Sequence, residues 1–221
     1  MSYNLHRTGN KAQWADIPEA ERNIFQKVAG WTHGILTLAN LATGLGVVNV
    51  FEGLDDFQNG NRAKGVAKIV VGHVLDAGDG AIAELTETKS PLGELADAVA
   101  DKVKTTAELV SLTRSGDIPA FSAGIIATHG IAMALLTGVG RVRGVRTHTS
   151  LSGKLATGSS AAAVTGYMSS AAAQEFENPG NAAGLRWAGH FAIGLTAVNG
   201  LAGVMSMAKD AFAPRTAENS L

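Results

Sequence analysis

The chain has 221 residues, which is enough for one large domain or two small ones, and only 17% of them are charged, against about 25% in ordinary soluble domains. The absence of cysteine excludes a disulfide framework, a thiolate metal site and a cysteine nucleophile. The formal net charge of −1 gives no reason to expect a nucleic acid as partner.

The N-terminal part of the chain predicts a tail followed by a short helix. Residues 1–16 are polar and show no signal-peptide pattern, so we expect them to form a tail. In residues 17–30, Pro18 suits the first turn of a helix. Four apolar side chains can share one face of this helix: Ile17, Ile24, Phe25 and Val28. This pattern predicts an amphipathic helix that lies along a membrane interface.

Four long stretches contain no Asp, Glu, Lys or Arg, and each has at least 20 residues. They are residues 28–51, 118–140, 155–174 and 187–208. A helix of about 20 predominantly apolar residues spans a bilayer, and the small residues that are abundant here let membrane helices approach closely. The alternative is a soluble all-α protein with alanine-rich buried helices, but the clustering of charge favours the membrane.

Two further helices are predicted between the first and second of these stretches, at residues 62–84 and 93–112. Each is long enough to cross a bilayer and carries aspartates, and ionisable residues inside a membrane usually face the bundle interior and mark function. The sequence therefore predicts an all-α integral membrane bundle of six transmembrane helices. With the interfacial helix it forms one domain, residues 17–211, followed by a C-terminal tail, residues 212–221.

Basic residues in the loops set the expected orientation in a cell membrane. The loop between the fourth and fifth spans carries four of them: Arg141, Arg143, Arg146 and Lys154. The turn between the fifth and sixth spans is acidic. Because loops rich in Lys and Arg stay in the cytoplasm, this basic loop is expected there. The loop that joins the two aspartate-bearing helices lies on the same side of a six-span bundle.

Four aspartates occur at helical spacings in a chain otherwise poor in charge: Asp76, Asp79, Asp97 and Asp101. Each pair shares a helix face, because its members are three or four residues apart. A hairpin of the two helices would point both pairs into one cleft, where Mg²⁺ or Mn²⁺ would find oxygen ligands and hold a phosphate or pyrophosphate. The alternative is a pair of amphipathic helices whose acidic faces meet water, with Lys102 and Lys104 beside the aspartates.

The same segment resembles the signature of the CDP-alcohol phosphatidyltransferase family, D-x2-D-G-x2-A-R-x8-G-x3-D-x3-D. Every spacing agrees, and the matching residues are Asp76, Asp79, Gly80, Ala83, Gly93, Asp97 and Asp101. The one departure is Glu84, which stands where the family usually has Arg.

Two shorter matches accompany the signature. Asn40 and Thr43 resemble an N-x-x-T near the start of the family's first span. Gly153, Lys154 and Thr157 resemble the G-K-x-x-T that opens the fifth span of phosphatidylglycerophosphate synthases. With the six-span layout, the resemblance covers most of the chain.

The resemblance implies a reaction in phospholipid biosynthesis. An alcohol attacks the β-phosphorus of a CDP-linked lipid, usually CDP-diacylglycerol, and CMP leaves. Asp76, Asp79 and Asp97 would hold one or two ions of Mg²⁺ or Mn²⁺. Asp101 would act as the general base on the acceptor hydroxyl and could also touch a metal. Five residues would shape the donor and nucleotide pocket: Asn40, Thr43, Gly80, Ala83 and Gly93. The family resemblance also implies a homodimer.

The acceptor alcohol is less determined. The four basic residues between the fourth and fifth spans could bind an anionic acceptor such as glycerol 3-phosphate or inositol phosphate, or could serve topology alone. The position of Lys154 in the matched G-K-x-x-T favours glycerol 3-phosphate.

Glu84 leaves three interpretations open. Its carboxylate is negative and only accepts hydrogen bonds, whereas the family's Arg is positive and only donates them. The first is that another basic residue takes the place of the Arg. The second is that the substrate differs. The third is that the protein is a catalytically impaired family member that binds nucleotide or lipid.

Overall fold

The computed structural model describes residues 12–145 and 150–214, and their secondary structure is helical, with no β-strand among them. A short 3₁₀-helix at Glu19–Glu21 precedes seven α-helices. These are α1 (Ile24–Trp31), α2 (Leu38–Gln58), α3 (Arg62–Leu85), α4 (Pro91–Ser115), α5 (Ala120–Arg143), α6 (Leu151–Glu175) and α7 (Pro179–Phe212). The predicted all-α class is confirmed for this part of the chain. The chain divides into two compact units, and the boundary between them follows Ala107, within α4.

The single helix predicted over residues 17–30 is two separate elements. Asn23 begins α1 with a capping box: its side-chain oxygen accepts from the backbone N–H of Gln26 at 2.9 Å, and its own N–H donates to the Gln26 side chain at 3.0 Å. Pro18 precedes the 3₁₀-helix and is not in the first turn of an α-helix. The Asn-x-x-Gln pattern was the available sequence signal for this helix start.

The first charge-free stretch, residues 28–51, also contains a break, so it does not form one continuous helix. His33 and Gly34 have positive φ angles of 52° and 83°, which end the helical path after α1. The chain becomes helical again at Leu38, where the Thr37 side chain accepts from the backbone N–H of Asn40 at 3.0 Å. The other predicted helices agree with the observed ones to within a few residues at most ends, although α7 starts earlier than expected.

Glycines let α2 and α3 pack backbone to backbone as an antiparallel hairpin. A Cβ added to Gly53 would lie 2.6 Å from the carbonyl oxygen of Gly65, and one added to Gly46 would lie 2.8 Å from that of Gly72. Real side chains are not found this close, so only glycine allows the approach. The two contacts fix the register of α3 along α2, and this register places Thr43 beside Asp79.

In the second unit, α6 and α7 pack by the same device. A Cβ on Gly203 would lie 2.6 Å from the Cα of Gly153, and one on Gly166 would lie 3.1 Å from the backbone nitrogen of Gly189. These contacts pair the start of α6 with the end of α7, so this hairpin is antiparallel too.

Large apolar side chains lie on the outer face of α7 and small residues on its inner face. The exposed face carries Trp187, Phe191, Leu195, Val198 and Leu201. The buried face carries Gly189, Ala192, Thr196, Gly200 and Gly203. A helix in a water-soluble protein shows the reverse order. Lipid tails are as apolar as leucine, so this arrangement suits a lipid surrounding.

Within the described ranges, two helices, α5 and α7, are long and apolar enough to cross a membrane. By contrast, α6 consists mainly of Ala, Gly, Ser and Thr, so the mean hydropathy of this helix is lower. The end of α2 is charged, because it includes Glu52, Asp55 and Asp56. The count of six spans and the interfacial position of α1 therefore stay predictions.

Candidate functional site

The loop between α3 and α4 is tied to the N-terminal segment. The backbone N–H of Gln13 donates to the carbonyl oxygen of Lys89 at 3.0 Å, and the backbone N–H of Lys89 donates to the Gln13 side chain at 3.1 Å. Gln26 on α1 donates to the Glu87 carboxylate at 2.7 Å. At the start of α4, the Ser90 hydroxyl accepts from the N–H of Gly93 at 3.0 Å. These bonds hold the connection between α3 and α4 in place.

Three of the four predicted carboxylates converge between α3 and α4. One carboxylate oxygen each from Asp76, Asp79 and Asp97 lies within 4.8 Å of the other two. Asp79 is buried and the other two are half-buried. Partly buried carboxylates this close together repel one another unless a cation lies among them. The group therefore has the charge, the ligand atoms and the spacing to hold a hard divalent cation.

Thr43 on α2 fixes one member of this group. Its hydroxyl donates to the carboxylate of Asp79 and lies 3.1 Å from the carbonyl oxygen of Ala39. Both Thr43 and Asp79 are buried. A bond of this kind holds the carboxylate in one orientation, as outer partners of metal ligands commonly do.

A buried cation, Lys104, accompanies the carboxylates. Its side chain is 0% exposed, and its ammonium forms an ion pair with Asp76. Lys102, by contrast, is 61% exposed, as expected of a solvated helix face. Sequence reasoning treated the two lysines alike. The sequence signal that could have distinguished Lys104 is its spacing of seven residues from Asp97. This spacing places it two turns further along the same face of α4.

Asp101 does not belong to the group of three. Its side chain is 43% exposed and lies 3.6 Å from the ammonium of Lys102. Such an exposed pair holds its partners weakly. The structure thus brings together three of the four predicted metal ligands and leaves the fourth, Asp101, which is also the predicted base, one helical turn away on α4.

A pocket opens beside the carboxylates, and all five residues expected at the donor site line it. They are Asn40, Thr43, Gly80, Ala83 and Gly93. Asp79 and Asp97 form part of the same wall, and the α3–α4 loop closes another side with Thr88, Lys89 and Ser90. A Cβ added to Gly80 would meet no atom within 4 Å, so its backbone borders open space.

Asn40 braces the pocket wall. Its side-chain amide donates to the carbonyl oxygens of Gly34 and Ile35, both at 2.9 Å. Its side-chain oxygen faces Gly93, where an added Cβ would lie 3.2 Å from it. Asn40 therefore joins the turn before α2 to the start of α4 and constrains position 93 to a small residue.

Glu84, the departure from the family signature, lies beside a lysine of the pocket. Its side chain is 73% exposed, and its carboxylate is 3.5 Å from the ammonium of Lys89. Lys89 itself lines the pocket. No sequence motif indicates Lys89, because the position of this residue follows from the path of the loop.

The basic residues predicted at the acceptor site belong to the second unit. Arg141 and Arg143 lie in the last turn of α5, and Lys154 lies in the first turn of α6. The guanidinium of Arg143 lies over the Phe212 ring, 5.5 Å from its centre. Arg141 and Lys154 are exposed. Arg146 lies outside the described residues.

Comparison with protein families matched the CDP-alcohol phosphatidyltransferase family over residues 34–199. This range contains the whole aspartate signature, the pocket residues and Lys154. Comparison with curated proteins and with solved structures gave no significant match. The family match covers about three quarters of the chain, so the chain belongs to the CDP-alcohol phosphatidyltransferases, transferases that move a substituted phosphate group from a CDP-linked alcohol to another alcohol.

Proposed function

We propose that this protein is a divalent-metal-dependent enzyme that transfers the phosphatidyl group of CDP-diacylglycerol to glycerol 3-phosphate and releases CMP, in phospholipid biosynthesis. One observation carries the proposal. The carboxylates of Asp79 and Asp97 form part of the wall of the pocket lined by every residue expected at the donor site.

Asp76, Asp79 and Asp97 would hold Mg²⁺ or Mn²⁺. The donor set fits these ions, because it offers only oxygen atoms and its burial leaves the negative charge poorly solvated. When bound, the cation would neutralise charge on the pyrophosphate and align the attack on it. Thr43 keeps the Asp79 carboxylate oriented for this ligand role.

Lys89 would supply the positive charge that the family's Arg brings at the position of Glu84. Among the three interpretations of Glu84, this one is supported by the position of Lys89 in the pocket wall. The ion pair between Lys89 and Glu84 is exposed, so it contributes only about 0–1 kcal/mol. The ammonium can therefore leave Glu84 for a phosphate oxygen of the donor.

Asp101 would take the proton of the acceptor hydroxyl. The hydroxyl oxygen then forms a bond to the β-phosphorus, the bond from that phosphorus to the oxygen of CMP breaks, and CMP leaves with the electron pair. A base must reach its hydroxyl within hydrogen-bond distance, and the partly exposed carboxylate of Asp101, one turn from the metal ligands, can be reached by an incoming acceptor.

The acceptor-binding residues would be the exposed Arg141 and Lys154, together with Arg143 and Arg146. Positive side chains suit a phosphorylated alcohol, and Lys154 lies in the stretch similar to phosphatidylglycerophosphate synthases. Inositol phosphate or another alcohol is the alternative acceptor.

We also propose that α2 to α7 are six membrane spans of a homodimer in the cell membrane, with the site facing the cytoplasm. The exposed apolar residues of α2 support its place among lipids: Leu41, Leu45, Val48 and Phe51. Helix α1 would lie at the interface, since Ile24, Phe25 and Trp31 on it are exposed.

CMP release by the purified, detergent-solubilised protein tests the reaction. CDP-diacylglycerol would be supplied with Mg²⁺ or Mn²⁺ and, in turn, glycerol 3-phosphate, inositol phosphate, serine or no acceptor. We expect release to require the metal and to be fastest with glycerol 3-phosphate, and Asp79→Asn to abolish it.

Two results would change the proposal. A strict preference for an uncharged alcohol would contradict phosphate binding by the basic residues. Binding of CDP without CMP release for any acceptor would identify an impaired family member, the second candidate that Glu84 raises.

A further inference from the structure

Lys104 is the most unusual residue of the site. Lysine is almost never fully buried unless it is paired, because an ammonium loses its hydration on burial. Here the side chain is 0% exposed, and the ammonium is paired with Asp76. A positive charge is therefore built into a group of carboxylates that would otherwise need cations from solution.

We propose that the ammonium of Lys104 takes the place of a second metal ion, so that the site holds one divalent cation per chain. This inference rests on the proposed function, which gives the carboxylates their metal-binding role.

The balance of charge supports a single ion. Asp76, Asp79 and Asp97 carry three negative charges, and Lys104 returns one positive charge to the group. The remaining two negative charges match one divalent cation. Without the donor's pyrophosphate, a second divalent ion would leave an excess of positive charge in a partly buried site, where like charges repel strongly.

The supply of ligands supports the same conclusion. One carboxylate oxygen of Asp76 is engaged by the ammonium of Lys104, whose side chain is fully buried. The fourth carboxylate of the signature, Asp101, stands outside the group and is paired with Lys102. Three carboxylates can therefore hold one ion, whereas a second ion would have to compete with Lys104 for Asp76.

Mn²⁺ binding to the full-length, detergent-solubilised protein tests the proposal, with free Mn²⁺ measured by electron paramagnetic resonance. We expect one Mn²⁺ per chain in the wild type and two in Lys104→Met, which keeps the length of the side chain and removes its charge. Lys102→Met is the matched control and should bind one, because Lys102 is exposed on the same helix.

Each outcome is decisive. Two ions per wild-type chain, or one in a folded Lys104→Met, would overturn the role of Lys104 and leave the metal-dependent function standing. No bound Mn²⁺ in the wild type would overturn the proposed function itself. If Lys104→Met does not fold, Lys104→Gln offers the same comparison, and the wild-type stoichiometry still tests the proposal.

Discussion

The hydroxyl of Thr43 on α2 donates to the carboxylate of Asp79 on α3, and both side chains are buried. This bond links the hairpin to the candidate metal site. The helix register behind it comes from glycine contacts seven residues apart on each helix, at Gly46 and Gly53 on α2 and at Gly65 and Gly72 on α3. Glycine contacts along the hairpin thus help determine where the Asp79 carboxylate points.

Thr43→Val should weaken metal binding while keeping the shape of the side chain. The Asp79 carboxylate would lose its fixed orientation, and loss of such an outer partner lowers metal affinity about 10- to 100-fold. Mn²⁺ titration by electron paramagnetic resonance measures the effect. Thr43→Ser keeps the hydroxyl and should retain most of the affinity. Equal affinity in Thr43→Val and wild type would show that the bond does not orient Asp79.

Gly53→Ala should destabilise the hairpin. The new Cβ would lie 2.6 Å from the carbonyl oxygen of Gly65 and 2.7 Å from the Ile69 side chain. Forcing α2 and α3 apart costs about 1–3 kcal/mol, as overpacking does elsewhere. Thermal unfolding in detergent measures the loss. Gly44→Ala is the matched control: nothing lies within 4 Å of its Cβ, so alanine should be neutral or stabilise the helix by up to about 1 kcal/mol.

Lys89→Ala should weaken the binding of CDP, because the pocket would lose its positive charge near the phosphates. We expect the dissociation constant to rise roughly 10-fold, in line with about 1.5 kcal/mol for one charge-assisted hydrogen bond. Calorimetric titration with CDP in the presence of Mg²⁺ measures the change.

Two variants separate this role of Lys89 from general charge effects. Lys64→Ala removes an exposed lysine that is paired with Asp56 and should leave CDP affinity unchanged. Glu84→Gln frees Lys89 from its ion pair and should keep or raise the affinity. If Lys89→Ala binds CDP as well as the wild type, the family's Arg has no replacement at position 89.

The six-span arrangement predicts which turns face each side of the membrane. The chain has no cysteine, so each introduced cysteine is a unique label. Asn59→Cys and Gly180→Cys should react with an impermeant maleimide from outside intact cells. Glu87→Cys and Leu151→Cys should react only after permeabilisation. Labelling of Glu87→Cys and Asn59→Cys from the same side would contradict the crossing of α3.

The pocket could be predicted from the sequence because a helix converts spacing into position. Gly80 and Ala83 follow Asp79 on α3, and Gly93 precedes Asp97 on α4, so two consecutive helices carry all five to one pocket. The charge-free stretches likewise predicted helices, since few polar groups interrupt them.

The remaining features depend on contacts that sequence spacing does not contain. The break before α2 requires a positive φ at His33, which is uncommon outside glycine. The position of Lys89 follows from a loop held by Gln13, 76 residues away in the sequence. The burial of Lys104 depends on how α4 packs, although its spacing from Asp97 was a usable signal.

Asp101→Asn and Asp79→Asn should separate catalysis from metal binding. Because Asp101 stands outside the three converging carboxylates and is 43% exposed, its amide variant should fold and bind Mn²⁺ as the wild type does. Its CMP release should fall at least about 100-fold, the lower range for loss of a general base. Asp79→Asn should lose both properties, since it removes a buried ligand held by Thr43. Wild-type turnover in Asp101→Asn would exclude it as the base, and loss of Mn²⁺ from this variant would make Asp101 a metal ligand instead.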